Sequence, residues 1–215
     1  MNNLSLPYSE ACERNKEPIF NILRPIANDK KSLLEVGFGT GQHAWFFSQK
    51  LSHLDYFAAD REEYHPLFHQ REQALGKPEN LQGPLHITAS DTALLHNLQG
   101  KLNDNPKGRV FDLVFSANTL HIMHEKEAEL FLKKIPNLIA SNGNLLLYGP
   151  FNFNGLFTSE SNEHFNASLR SRHPGMGIRD FEWVQRILES AGMTFGETHN
   201  MPANNFILNF IKSTP

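Results

Sequence analysis

A chain of 215 residues with 40% apolar and 20% charged positions can bury a sizeable core, and it fits one globular domain with a small cap better than two large domains. A net charge of −3 without a Lys/Arg run lacks the basic footprint of a nucleic-acid binder, and the single cysteine, Cys12, excludes an intramolecular disulfide framework and a cysteine-based zinc site. No apolar run approaches the length of a membrane span and the N-terminus is polar with early acids, unlike a signal peptide, so the expectation is a soluble cytoplasmic protein with no membrane partner and no nucleic-acid partner evident in its composition.

Helical signals run from Ser9 to Arg24 in two pieces. Ser9 can cap the first, and Pro18 fits the first turn of a second whose Ile19, Ile22 and Leu23 share a face. Between them Arg14-Asn15-Lys16 reads, by spacing, as a solvated hinge or a binding segment. Ser32–Val36 predicts the first strand, which runs through Glu35 into Val36-Gly37-Phe38-Gly39-Thr40-Gly41. Alternating glycines let the backbone take positive φ and bring bare N–H groups against a ligand. The positive N-terminus of a helix over Gln42–Leu51 faces the same spot. The turn suits a nucleotide-like cofactor, and it also suits the plain steric need of a strand-to-helix turn for glycine.

Leu54–Ala59 predicts the second strand, ending at Asp60, about twenty residues beyond the glycines, where a doubly wound fold sets its second strand tip beside the first. A carboxylate there can accept both hydroxyls of a ribose, or cap the helix that follows. Tyr64–Leu75 reads as a helix, Gly76–Gly83 as a loop and Pro84–Ala89 as the third strand. That strand ends in Ser90-Asp91-Thr92. Asp91 stands either to receive an adenine amine or to cap a short helix over Ala93–Leu102. After a loop over Asn103–Gly108, Val110–Ser116 predicts a fourth, buried strand, followed by Asn118-Thr119-Leu120-His121-Ile122-Met123-His124.

Glu125–Ala140 is amphipathic, with Ala128, Phe131, Ile135, Leu138 and Ile139 on one side, a bend at Pro136 and a stop at Asn142-Gly143. Asn144–Tyr148 predicts the fifth strand. Gly149–Asp180 lacks sustained periodicity apart from a short helix near Glu163–Arg170. A connection of that length is functional or disordered, and its phenylalanines favour an ordered cap. Phe181–Ala191 reads as a helix ended by Gly192, and Met193–Thr198 and Phe206–Ile211 as strands joined through His199–Asn205.

Strands alternating with helices build a parallel sheet with helices on both faces and a ligand at its carboxyl edge. The last two strands are joined too tightly for a right-handed crossover, so the final one is antiparallel. The expectation is an α/β, Rossmann-like, mostly parallel seven-stranded sheet with an antiparallel last strand, which resembles the class I S-adenosylmethionine-dependent methyltransferase fold. Ser9-Glu10-Ala11-Cys12-Glu13-Arg14-Asn15-Lys16-Glu17-Pro18-Ile19, Gly39-Thr40-Gly41-Gln42-His43-Ala44, Asn118-Thr119-Leu120-His121-Ile122, Tyr148-Gly149-Pro150-Phe151, Ser161-Asn162 to Arg170, Gly177-Ile178-Arg179-Asp180 and Met201-Pro202-Ala203-Asn204-Asn205 further resemble the methyltransferase-like twenty-six family.

That resemblance implies one methyltransferase-like domain over 1–215, with an N-terminal helical segment over 1–30 and a cap over 150–180. It implies S-adenosylmethionine as methyl donor and S-adenosylhomocysteine as product and leaves the acceptor unidentified; a small-molecule acceptor is the expectation, and methyl transfer from a sulfonium requires no metal. Gly37, Gly39 and Gly41 would form the cofactor loop, Glu35 would orient it from below, and Asp60 and Asp91 would take the ribose and adenine. Asn118 would line the site after strand four, while Arg14 or Lys16, with Asn15 beside them, would neutralise the cofactor carboxylate. Phe38 departs from the small residue usual in this family and would flank the methionine tail.

An acceptor that must lose a proton is helped by a base. His121, after strand four on the ligand edge, is the candidate, its alternative being a packing role against the next helix. Lys16, Tyr148, Asn162, Arg170, Asn204 and Asn205 are substrate-face candidates that could instead satisfy loop backbone groups. Three other classes compete. A metal hydrolase could use His65/His69 or His121/His124, but neither pair carries the glutamate of a HExxH helix and Pro66 interrupts the first. A nicotinamide dehydrogenase would suit Gly39-Thr40-Gly41-Gln42-His43-Ala44 and Asp60; Glu35, the acid after strand three and the terminal hairpin argue against it. A non-catalytic binder could keep the cofactor pocket and use its cap for a partner.

Overall fold

The computed structural model describes residues 6–88 and 110–214. Asp91, the helix expected over Ala93–Leu102 and the loop expected over Asn103–Gly108 lie outside the described residues. The main-sheet strands are β1 (Ser32–Val36), β2 (Asp55–Asp60), β3 (Leu81–His86), β4 (Phe111–Ala117), β5 (Ile139–Gly149), β8 (Met193–Met201) and β9 (Asn205–Lys212); β6 (Phe151–Asn152) and β7 (Arg179–Asp180) pair separately. The seven-stranded sheet has the order β3-β2-β1-β4-β5-β9-β8. β1 pairs in parallel with β2 and β4, and β4 with β5. β9 runs antiparallel to both β5 and β8, so it alone is reversed.

Strict alternation along the central strands splits the core into two layers. Leu33, Leu113, Phe115 and Leu146 face one side, where Ile19 and Leu23 of α1 (Glu10–Ala27), Phe47 of α2 (Gln42–Lys50) and Phe68 of α3 (His65–Leu75) cover them. Leu34, Val114, Leu145 and Leu147 face the other, under Phe131 of α4 (Glu125–Lys134) and Leu188 of α6 (Phe181–Ser190). α5 (Glu160–Arg172) belongs to the cap. Among the described residues no helix is long and apolar enough to cross a membrane.

Several elements differ from expectation. The N-terminal pieces form one helix, so Arg14-Asn15-Lys16 lies within α1 and is no hinge. Pro18 cannot donate to the Arg14 carbonyl, a loss of about 3 kcal/mol in a helix interior. Full burial of Ile19 and Leu23, with Phe20 nearly so, returns about 1.5–3 kcal/mol for each side chain and outweighs it. β3 begins at Leu81 and contains Pro84 because it is a sheet edge, where a missing donor costs no ladder bond. At Gly83 a side-chain carbon would lie 2.7 Å from the Ala58 carbonyl oxygen, so only glycine permits this approach to β2.

α4 stops at Lys134 and a 3-10 turn over Ile135–Leu138 carries Pro136 directly into β5. Asn142, at φ 62°, and Gly143 therefore sit inside β5, beside a register shift opposite Phe111/Leu113, and terminate no helix. Pro66 falls in the first turn of α3, where no N–H is required, and leaves that helix regular. The cap helix is also longer than expected: Ser159 caps it by accepting from the Asn162 N–H at 3.2 Å.

Candidate functional site

The glycine turn leaves β1 at its carboxyl end. Gly37, Gly39 and Gly41 all have positive φ, at 83°, 53° and 74°. At Gly37 the reason is doubled, since a side-chain carbon would lie 2.9 Å from Thr119 Oγ1. The turn is pinned from the tip of β2: the Gly39 N–H donates to Asp60 Oδ2 at 2.8 Å, and Asp60 Oδ1 accepts from the Arg61 N–H at 2.8 Å. Burial raises the Asp60 pKa, opposed by those two donors. Each carboxylate oxygen keeps a second lone pair to offer a ligand.

Beneath the turn lies a buried polar chain. Tyr56 OH donates to Glu35 Oε2 at 2.8 Å, His43 Nδ1 stands 3.9 Å from Glu35 Oε1, and His43 Nε2 bonds Asn15 Oδ1 at 2.7 Å. Asn15 also hydrogen-bonds the Tyr148 side chain, so α1 and the end of β5 meet through one amide. Burial pushes Glu35 up to about 8 and His43 down to about 4, leaving both neutral at pH 7. The outer end of α1 is tied down as well: Gln42 accepts from the Ser9 N–H and Arg71 donates to the Pro7 carbonyl.

The strand ends, α1 and the cap enclose a cavity of about 980 Å³. Asn118, at φ 57°, and His121 follow β4 and approach β5 at Gly149. A side-chain carbon at Gly149 would lie 3.6 Å from His121 Nδ1 and 3.8 Å from Asn118 Oδ1. The His121 ring packs edge-on to Phe165 of the cap helix at 5.3 Å, and burial, with the Arg179 charge nearby, pushes its pKa down to about 4. It is therefore a neutral imidazole with a lone pair to offer. Arg179 is itself buried and donates to the carbonyls of Leu120, Met123 and Gly175, strapping the loop after β4 to the cap. Asn162 Nδ2 donates to the Asn204 carbonyl at 3.0 Å and joins the cap helix to the turn before β9.

Of the residues singled out from sequence, Arg14, Asn15, Gly37, Phe38, Gly39, Asp60, Asn118, His121, Tyr148, Asn162 and Asn205 line this cavity. Five others with described positions do not. Glu35 lies below the floor, and Gly41 caps α2 against Trp45 and Arg71. Lys16 turns away to pair with Glu13 over the Phe46 ring. Arg170 lies against Gly177, and Asn204 contributes its backbone carbonyl to Asn162. The Phe38 ring is 2% exposed and packs on Phe68 at 5.3 Å, which makes it chiefly a core residue.

Sequence reasoning missed Thr119, Ile122, Phe165 and Arg172 as lining residues, and His43 and Arg179 as supports. Helical periodicity could have found two of them, since Asn162, Phe165, Leu169 and Arg172 fall on one stripe of α5. His65 bonds the Asp60 carbonyl and His69 pairs with Glu72, and among the described residues no cluster of three or more metal-ligating side chains occurs.

The model of a family described as "Protein of unknown function (DUF938)" matches residues 6–212. Among solved structures the chain is similar to an O-methyltransferase family protein from Burkholderia thailandensis, with TM-score 0.77 and 14% identity over 95% of this chain and 58% of that one. It is similar also to human N-acetylserotonin methyltransferase in complex with SAM, with TM-score 0.72 and 15% identity over 95% and 53%, and to PigF with SAH, with TM-score 0.68 and 10% identity over 91% and 56%. The chain thus spans little more than half the length of these proteins. At such identities the likeness establishes the fold: a Rossmann-like methyltransferase fold with a mostly parallel seven-stranded sheet and reversed last strand.

Proposed function

The chain belongs to the DUF938 family, and on that footing we propose that it is an S-adenosylmethionine-dependent methyltransferase acting on a small-molecule acceptor in the cytoplasm. We also propose the cap over 150–180 as the acceptor side of one methyltransferase-like domain, and methyltransferase-like twenty-six as the family's functional identity. One observation carries the reading. A single cavity joins the glycine turn and Asp60 at the ends of β1 and β2 to His121, Tyr148 and Asn162 on the other side. Its volume of about 980 Å³ lies at the upper end of the roughly 300–1,000 Å³ typical of ligand pockets, which suits a nucleoside cofactor and a small acceptor together.

The residues present fit the cofactor. The turn around Gly37 is a place that a side chain would fill, and the Asp60 carboxylate lines the cavity beside it with lone pairs to spare. Gly37, Gly39 and Asp60 would hold the nucleoside, Arg14 and Asn15 the amino-acid end, and Asn118 the wall after β4. Bound there, S-adenosylmethionine would supply a methyl group carried on a sulfonium, for in-line transfer to the acceptor with sulfur keeping the electron pair of the broken bond. The chain's contribution is placement in a water-poor pocket, with α1 and the cap as walls. His121, kept neutral by burial, would accept a hydrogen bond from an acceptor hydroxyl and take its proton only as the methyl group arrives and makes that oxygen acidic.

Titration calorimetry with S-adenosylmethionine, S-adenosylhomocysteine and NAD, on wild type and Asp60→Ala, tests the cofactor half. The expected result is binding of the two adenosyl compounds alone, weakened by the substitution. A preference for NAD, or no binding of any of the three, overturns the proposal. Methyl transfer from labelled donor to an acceptor library then separates an enzyme from a non-catalytic binder.

A further inference from the structure

The stripe of α5 that buries Leu169 also lays three different chemistries along the cavity: Asn162, buried, at one end, Phe165 in the middle and Arg172 at the other end. Seven residues separate Phe165 from Arg172, a rise of about 10 Å along the helix. Helical side chains lean toward the N-terminus, which carries the guanidinium back toward Phe165. Phe165 and Ile122 are 38% and 42% exposed although both line the cavity, so an apolar surface is left open beside His121.

The charges are lopsided. Both acids in the cavity wall have a role already: Asp60 accepts from two backbone N–H groups and turns its remaining lone pairs to the proposed nucleoside, and Glu127 accepts from the His124 N–H at 3.0 Å in the cap of α4. Of the three arginines in the wall, Arg14 pairs with Glu10 and Arg61 with Glu63. Among the described residues no acid or carbonyl engages Arg172. Arg172 is thus an exposed cation on the cavity rim with no partner among the described residues, and beyond an open aromatic face it is a place for an anionic head on an apolar body.

Resting on the methyltransferase reading, we propose that the acceptor is a small carboxylate with a flat apolar body. The body lies against Phe165 and Ile122, the carboxylate is held by Arg172, and the group to be methylated faces His121. Guanidinium takes a carboxylate through two parallel hydrogen bonds, which makes arginine specific for this head group. A neutral isostere leaves the guanidinium with one acceptor and no charge to meet.

The test is calorimetry with salicylate, para-hydroxybenzoate and para-hydroxyphenylacetate, each against its own primary amide, with and without saturating S-adenosylhomocysteine. Wild type, Arg172→Gln, Arg172→Lys and Phe165→Ala are compared. At least one acid is expected to bind wild type about tenfold more tightly than its amide, the scale of one charge-assisted hydrogen bond. Arg172→Gln should abolish that preference by weakening the acid alone, Arg172→Lys should keep part of it, and Phe165→Ala should weaken acid and amide together. Affinity for S-adenosylhomocysteine should be unchanged in the Arg172 variants. Equal binding of acids and amides, a preference that survives Arg172→Gln, or no binding of any acid overturns the proposal. Failure of S-adenosylhomocysteine to bind wild type overturns the cofactor reading instead, and the arm without it still reports on the acid site.

Discussion

Glu35→Gln should change how stability depends on pH. Glu35 is 1% exposed, and burial lifts its pKa from about 4.5 to about 8, whereas His43 beside it falls from about 6.5 to about 4. For Glu35 the unfolded chain is ionised between these two values while the folded one is still protonated, so stability falls as pH rises and levels off above the folded pKa. For His43 the unfolded chain binds the extra proton, so stability falls as pH drops from 6.5 toward 4. The two slopes oppose one another from 4.5 to 6.5, and only that of Glu35 remains above 6.5. One proton is worth about 1.4 kcal/mol per pH unit, hence about 2 kcal/mol between pH 6.5 and pH 8. In a domain of this size that is a Tm drop of about 4–8 °C. Glutamine keeps the acceptor for the Tyr56 hydroxyl and carries no titrating proton. Scanning calorimetry across pH 6 to 8.5 should therefore show a wild-type Tm that falls and a Glu35→Gln Tm that stays nearly level. Parallel curves for the two proteins would refute the claim that Glu35 is held protonated beneath the turn.

Asp60→Ala removes both the anchor of the Gly39 N–H and the proposed ribose acceptor, and is expected to weaken S-adenosylhomocysteine about ten- to hundredfold by calorimetry. Gly37→Ala combines a positive φ, costing about 1–2 kcal/mol, with the approach to Thr119 Oγ1. Denaturant titration should show it more destabilised than Gly39→Ala, which meets nothing within 4 Å, with part of the difference recovered by adding Thr119→Ala. Asn15→Ala strands a buried His43 nitrogen and should cost about 1–3 kcal/mol by the same measurement. Once an acceptor is in hand, activity should fall as pH drops through about 4, where His121 takes up a proton; Asn in place of His121 should remove that limb of the profile.

The parts of this protein set by local rules were legible in its sequence. The glycine turn, the acid at the tip of β2 and the short apolar strands follow from backbone sterics, from chain spacing in a parallel sheet and from the burial of a parallel strand on both faces, and each needs only a few neighbouring residues. The tight final connection likewise forced a reversed last strand. What depended on distant partners was not legible. Pro18 marks a helix start by every local rule, yet α1 runs through it because its buried face is worth more than one lost hydrogen bond. Pro84 forbids a central strand, and only the sheet order put β3 at the edge, where it is tolerated. Among the site residues, Lys16 and Arg170 differ from Arg14 and Arg172 by two positions on a helix, which is half a turn. Which face of each helix meets the cavity is decided by what the rest of its stripe can bury, and only the packed structure contains that answer.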